Sequence, residues 1–114
     1  MNQNEISEQF DGDLDIALAA SEAFVETFQE LLNRIHKGFL NQDCKESQLA
    51  IHAFKGSISV FGFKQIISQL QLCEKLLKSN NLAEAHKLFE LQLQAIQNVY
   101  LELANFAKSQ NLAA

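Results

Sequence analysis

The stretch "IHAFKGSISVFG", residues Ile51 to Gly62, spaces its apolar residues three or four positions apart, as in a helix with one buried face. At 100° per residue from Ile51, the stripe of Ile51, Phe54, Ile58 and Phe61 is centred at about 320°. Such a stripe must be buried against other helices, so the stretch favours a helical bundle. Gly62 is a typical residue for the end of the helix.

Three residues of this stretch share the face turned away from the core. The same increment places His52, Gly56 and Ser59 at about 100°, 140° and 80°, and Lys55 on the shoulder of the stripe. A glycine inside an exposed helix costs about 0.5–1 kcal/mol relative to alanine. Either Gly56 clears the approach of another molecule to His52, or it reflects drift on a tolerant surface.

His52 is the candidate reactive residue. A neutral imidazole has a lone pair and can act as a nucleophile. A fixed ammonium one turn away, on Lys55, would favour a phosphoryl group. Most exposed histidines have no special role, and we interpret His36 and His86 as idle surface residues of this kind.

Outside this stretch, the first half of the chain predicts a short helix and a long one. The short helix is expected over Leu14–Ala20, and Ser21 is the predicted N-cap of a long helix whose apolar stripe reaches Phe39. The residues "NQD" end that helix. Asp43 with Glu46 then forms a variant of the capping box and begins the helix that carries His52.

Two further helices complete the pattern. One carries the apolar residues between Ile66 and Leu77 and ends at "KSNN"; the other begins at Asn81, has Glu84 in its first turn and extends to Phe106. Because short connections make neighbouring helices antiparallel, we predict an all-α fold. Its form is an antiparallel up-and-down four-helix bundle with a short extra N-terminal helix.

Composition agrees with one helical domain. The chain has 114 residues, no proline and four glycines, which suits long helices joined by short connections. We expect a polar, flexible N-terminus over residues 1–12, the bundle over 13–109 and a flexible C-terminus over 110–114. The initial Met1 and the polar ends favour a complete small protein.

The charge and the cysteines of the chain limit where in the cell it is expected and which classes of molecule it could bind. The net charge of −5 argues against a nucleic-acid surface. No apolar run approaches the roughly 20 residues of a membrane span, and the N-terminus lacks the pattern of a secretory signal. Cys44 and Cys73 form neither a redox nor a zinc motif; we interpret them as helix-packing residues in a reduced cytoplasm.

The segment "HAFKGSISVFG" resembles the signature of histidine-containing phosphotransfer (Hpt) domains, roughly H-x-L-K-G-(S/A)-x-x-x-x-G. The matching positions are His52, Phe54 (in the leucine position), Lys55, Gly56, Ser57 and Gly62. The segments "FVETFQELLNRIHKGFLNQD" and "LCEKLLKSNNLAEAHKLF" are similar to the family's preceding helix and its later helix pair. The resemblance covers about Leu14 to Phe106.

The resemblance implies a covalent relay carrier and not an enzyme. His52 would accept a phosphoryl group from an aspartyl phosphate on a receiver domain and pass it to another receiver aspartate. The chain would have no ATP site, cofactor or metal of its own. Its partners would be receiver domains of response regulators or hybrid sensor histidine kinases.

The family's supporting residues map onto positions near His52. Its lysine corresponds to Lys55 and its small residue to Gly56. Many members have an acidic or amide residue on the next helix, and Glu74 stands at the comparable spacing. We add Ser59 because it shares the face of His52.

The chain departs from the family at Ile51 and Phe63, where members usually have alanine; this bears on the choice of partner and not on the chemistry.

Two alternatives remain open. One is a helical interaction module that binds receivers or a kinase without being phosphorylated. The other is an unrelated bundle that binds a metal weakly through the three histidines and the two cysteines, although the cap signals place these residues on different helices. We expect a cytoplasmic monomer.

Overall fold

The computed structural model describes residues 3–113, which form five α-helices. These are α1 (Gln3–Glu8), α2 (Leu14–Leu40), α3 (Cys44–Ser59), α4 (Lys64–Lys78) and α5 (Leu82–Ala113). The four long helices pack in a ring, α2 on α3, α3 on α4, α4 on α5 and α5 on α2, while α1 packs on α2. The predicted all-α bundle with a short N-terminal helix is confirmed. Within residues 3–113 the structure contains no helix long and apolar enough to span a bilayer.

The short helix lies at a different place from the predicted one. Residues Leu14–Ala20 form the first turns of α2, so the prediction of a separate helix there is wrong. The N-cap of α2 is Asp13, whose carboxylate accepts a hydrogen bond from the amide of Ile16 at 3.1 Å. Ser21 is buried inside α2, where its hydroxyl donates to the carbonyl oxygen of Ala17 at 2.8 Å. A serine satisfied within its own helix and a capping serine look alike in sequence.

Helix α1 falls in the polar segment where no helix was predicted. The side chain of Ile6 is only 1% exposed and belongs to the core. The ring of Phe10, just after α1, meets Phe61 edge-to-face at 5.8 Å.

At the C-terminal end of the chain, α5 continues to Ala113, beyond residue 109. Residues 1, 2 and 114 lie outside the described range, and the flexibility of the termini stays a prediction.

Each connection between the long helices contains a residue whose backbone is in the left-handed conformation. Gln42 has φ 52°, Gly62 has φ 99° and Asn80 has φ 61°. After α4 the amides of Asn80 and Asn81 donate back to carbonyl oxygens of its last turn, at 3.1 and 2.8 Å, in a Schellman arrangement. The predicted breaks at "NQD", Gly62 and "KSNN" are therefore confirmed.

The core fixes the rotation of α3. The whole apolar stripe of the stretch Ile51 to Gly62 is buried, with no measurable exposure of its side chains. Phe54 packs against Phe24 and Phe28, with ring centroids 6.3 and 6.1 Å apart. Phe61 also contacts Phe24, at 5.8 Å. Because this face is held in an aromatic cluster, the opposite face of α3 must point to solvent.

A close contact between backbones sets α3 against α2. The predicted cap is present, since Asp43 accepts a hydrogen bond from the amide of Glu46 at 3.0 Å. One turn further, Ser47 packs against Gly38 near the end of α2. A Cβ added to Gly38 would lie 2.9 Å from both the Cα and the amide nitrogen of Ser47. Only glycine permits this approach without a shift of the backbone.

The two helical glycines should therefore respond in opposite ways to alanine. We expect Gly38→Ala to lower the free energy of unfolding by about 1–3 kcal/mol, because overpacking must displace backbone. Gly56→Ala is the matched control, since a Cβ there would meet nothing within 4 Å. It should raise the free energy of unfolding by up to about 1 kcal/mol. Urea denaturation measures both; equal effects of the two substitutions would contradict this packing.

Candidate functional site

The outer face of α3 presents His52 to solvent. Its side chain is 68% exposed, and Gly56 and Ser59 on the same face are also exposed. Lys55 lies on the shoulder, with a side chain 19% exposed. The predicted orientation of all four positions is therefore confirmed.

A carboxylate from α4 joins the two charged or titratable side chains of this face. Glu74 Oε2 lies 3.1 Å from His52 Nδ1, and Glu74 Oε1 lies 2.6 Å from Lys55 Nζ. The side chain of Glu74 is only 9% exposed. The structure thus brings together three of the predicted site residues from two helices.

The position of Glu74 follows from the buried stripe of α4. Leu70, Cys73 and Leu77 face the core, and Glu74 lies at the edge of that stripe, towards α3. A buried carboxylate is costly unless it is paired. Apart from its ion pair with Lys55, Oε1 has no hydrogen-bond partner among the described residues. Lys55 is therefore the group that compensates this oxygen.

The contact with Glu74 selects one tautomer of His52. A carboxylate can only accept hydrogen bonds, so Nδ1 of His52 must carry the proton that it donates to Oε2. In a neutral ring the lone pair then resides on Nε2. Nε2 makes no hydrogen bond within residues 3–113. The arrangement offers an oriented nitrogen nucleophile at the surface.

An apolar recess lies one turn from His52, between α2 and α3. It has a volume of about 260 Å³, and Val60 at its edge is 51% exposed. Its lining consists of small and apolar side chains together with Thr27: Ala20, Ala23, Phe24, Thr27, Gly56, Ser57 and Val60. Gly56 thus opens onto a surface that an apolar group of another molecule can contact.

Ser59 does not join the cluster. Its hydroxyl donates to the carbonyl oxygen of Gly56 at 3.0 Å, in the last turn of α3. Within the described residues it makes no hydrogen bond to His52, Lys55 or Glu74. This bond satisfies a carbonyl near the helix end, and a role of Ser59 towards a phosphoryl group or a partner stays a prediction.

The other two histidines lie only partly at the surface, and the absence of a role for them stays a prediction. Both are half-buried against aromatic rings. His86 stacks on Phe39, with centroids 4.5 Å apart, and its Nε2 lies 3.1 Å from Glu90 Oε1. His36 meets Phe89 edge-to-face at 6.1 Å. Among residues 3–113 no group of three histidine, cysteine, aspartate or glutamate side chains is arranged to hold a metal ion.

The two cysteines are unpaired, and Cys73 is buried beside Glu74 in sequence. Its thiol donates to the carbonyl oxygen of Ala85 at 3.7 Å. Burial raises the pKa of Cys73 from 9.0 to about 11, with a smaller contribution in the same direction from the charge of Glu74. Cys73 is therefore a protonated packing group at neutral pH and no competing nucleophile.

The contacts predict different tautomers for two histidines of the same chain. In nitrogen-15 spectra of the neutral rings we expect His52 to be protonated at Nδ1 and His86 at Nε2, because each donates to a carboxylate through that nitrogen. Glu74→Gln should weaken the preference at His52 alone, since an amide can both accept and donate. A wild-type His52 protonated at Nε2 would show that Glu74 does not orient the ring.

Comparison with known proteins identifies the family. The family model of the Hpt domain matches residues 19–106, which include α3, α4 and most of α2 and α5. No curated protein and no solved structure matches the chain. Because the match spans more than half of the 114 residues, the chain belongs to the Hpt domain family, whose members are phosphocarrier modules of two-component signalling that interact with receiver domains or kinases.

Proposed function

We propose that the protein is a phosphorelay carrier. His52 accepts a phosphoryl group from an aspartyl phosphate on one receiver domain and passes it to an aspartate on another. The observation that carries this proposal is the hydrogen bond between His52 Nδ1 and Glu74, which leaves the exposed Nε2 as the nucleophile. We place the relay in the cytoplasm, where the unpaired Cys44 and Cys73 remain reduced.

The transfer step needs little from this chain beyond position. The lone pair of Nε2 forms a bond to phosphorus while the bond from phosphorus to the receiver's carboxylate oxygen breaks, and that oxygen keeps the electron pair. Nδ1 keeps its proton, so the phosphorylated ring carries a positive charge. Phosphoryl transfer depends mainly on alignment and charge stabilisation, and α3 supplies a fixed helix for the imidazole.

Opposite charges are in place before the reaction begins. The ring becomes positive beside the carboxylate of Glu74, which lies 3.1 Å from Nδ1. The phosphoryl group is negative, and the ammonium of Lys55 is held close by the other oxygen of the same carboxylate. Charges fixed in advance stabilise a transferring group without reorganisation. Glu74 thus positions both groups without touching the phosphoryl group itself.

The recess beside Gly56 suits the approach of a folded partner. In-line transfer brings a receiver's aspartate against an exposed helix, so the neighbouring surfaces must also meet. Gly56 and Val60 border a recess of about 260 Å³ next to His52. We therefore interpret Gly56 as a residue that leaves room for the receiver, in preference to drift.

Substitution of His52 tests the identity of the carrier residue. His52→Gln should abolish labelling by a phosphorylated receiver while circular dichroism stays that of a helical bundle, because the side chain is largely outside the core. His36→Gln and His86→Gln are the matched controls and should retain labelling. Loss of the label in either control, with His52→Gln still labelled, would assign the reaction to another histidine.

Substitution of Gly56 separates docking from chemistry. Gly56→Leu should keep the bundle folded, since a Cβ at position 56 would meet nothing within 4 Å. It should slow transfer from a receiver by about ten- to a hundredfold, because small displacements of the reacting groups have effects of that size. A small donor such as phosphoramidate needs no protein surface and should label the variant almost as fast as the wild type.

Two results would contradict this interpretation of Gly56. An unfolded Gly56→Leu would mean that the position is buried. Unchanged transfer from several receivers would mean that the glycine has no role in docking.

A further inference from the structure

The groove between α4 and α5 exposes apolar surface away from the His52 site. Leu72 on α4 is 45% exposed and Leu91 on α5 is 74% exposed. Both border a recess of about 270 Å³ whose walls also include Leu76 and Leu88. A single exposed leucine needs no explanation, but contiguous apolar side chains around a recess are typical of an interaction surface.

The charges at this recess balance each other. Glu84 and Lys87, on adjacent turns of α5, complete its lining. Neither is in an ion pair within residues 3–113. The patch is therefore neutral, whereas the whole chain carries a charge of −5. Two copies that meet through this neutral patch bring no like charges together, whereas contact through acidic parts of the surface would make them repel each other.

The shape of the patch also suits contact with itself. In a two-fold contact the same surface serves on both sides, so it must supply both a projection and a recess. Leu91, which is 74% exposed where it borders the recess, can serve as the projection, and the space that it lines with Leu72, Leu76 and Leu88 can serve as the recess. Glu84 and Lys87 likewise offer one charge of each sign for reciprocal pairing.

We propose that two copies of the chain associate through the α4–α5 groove in a two-fold dimer. Each Leu91 sits in the other copy's recess, and each Glu84 faces the partner's Lys87. This replaces the expectation of a monomer. The patch contains no residue of the His52 site, so the His52 imidazole of each copy stays exposed. The proposal does not depend on phosphotransfer.

Sedimentation equilibrium of the whole chain tests this directly. The wild type should pass from monomer to dimer as its concentration rises. Leu91→Glu should raise the dissociation constant of the dimer at least about tenfold, because it places a charge at the centre of the interface. Leu101→Glu is the matched control: Leu101 is 55% exposed on the same helix but outside the patch, and this variant should associate like the wild type.

A charge swap tests the orientation of the two copies. Glu84→Lys and Lys87→Glu should each weaken the dimer, and the double variant should recover it, because the reciprocal pairs are complementary again. A wild type that stays monomeric at every concentration would overturn the proposal and leave the groove to a different protein. Equal weakening by Leu91→Glu and Leu101→Glu, or no recovery in the double variant, would also overturn it.

Discussion

One buried carboxylate connects the two helices of the candidate functional site. Glu74 is almost removed from water, and two side chains of α3 compensate it, His52 at Oε2 and Lys55 at Oε1. Because an isolated buried charge is costly, the carboxylate keeps both partners at fixed positions. The same contacts determine which imidazole nitrogen holds the proton. The same three side chains therefore form the ion-pair network and the arrangement that we propose for phosphoryl transfer.

The contacts of Glu74 with His52 and Lys55 depend on the fixed rotation of α3 about its axis. Its apolar stripe is buried in the aromatic cluster around Phe54, and its first turn is pressed against Gly38 of α2. With that face fixed, His52 must point outward and Gly56 must open to solvent. The buried side of the helix therefore fixes the direction of the exposed side, and the apolar recess beside Gly56 adds to the surface that we propose for receiver docking.

Sequence reasoning reached features that depend on the period of one helix and missed those that depend on contacts between helices. The orientation of His52, Lys55 and Gly56 follows from the apolar stripe of α3. The contact of Glu74 with His52 depends on how α4 is rotated against α3, so only the family resemblance pointed to it. The close approach at Gly38 also depends on a contact between helices, and a glycine within a helical pattern does not by itself show which residue it faces. Ser21 was mistaken for a cap because a serine that bonds within its own helix looks the same in sequence; the cap of this helix is Asp13.

In the proposed relay, Glu74 makes Nε2 of His52 the nitrogen that receives the phosphoryl group. The most direct test of this assignment is a phosphorus–nitrogen coupling measurement on the phosphorylated, nitrogen-15-labelled protein. We expect phosphorus bonded to Nε2 of His52, with a proton retained on Nδ1 and the Glu74 contact preserved. Phosphorus bonded to Nδ1, or to any residue other than His52, would contradict it.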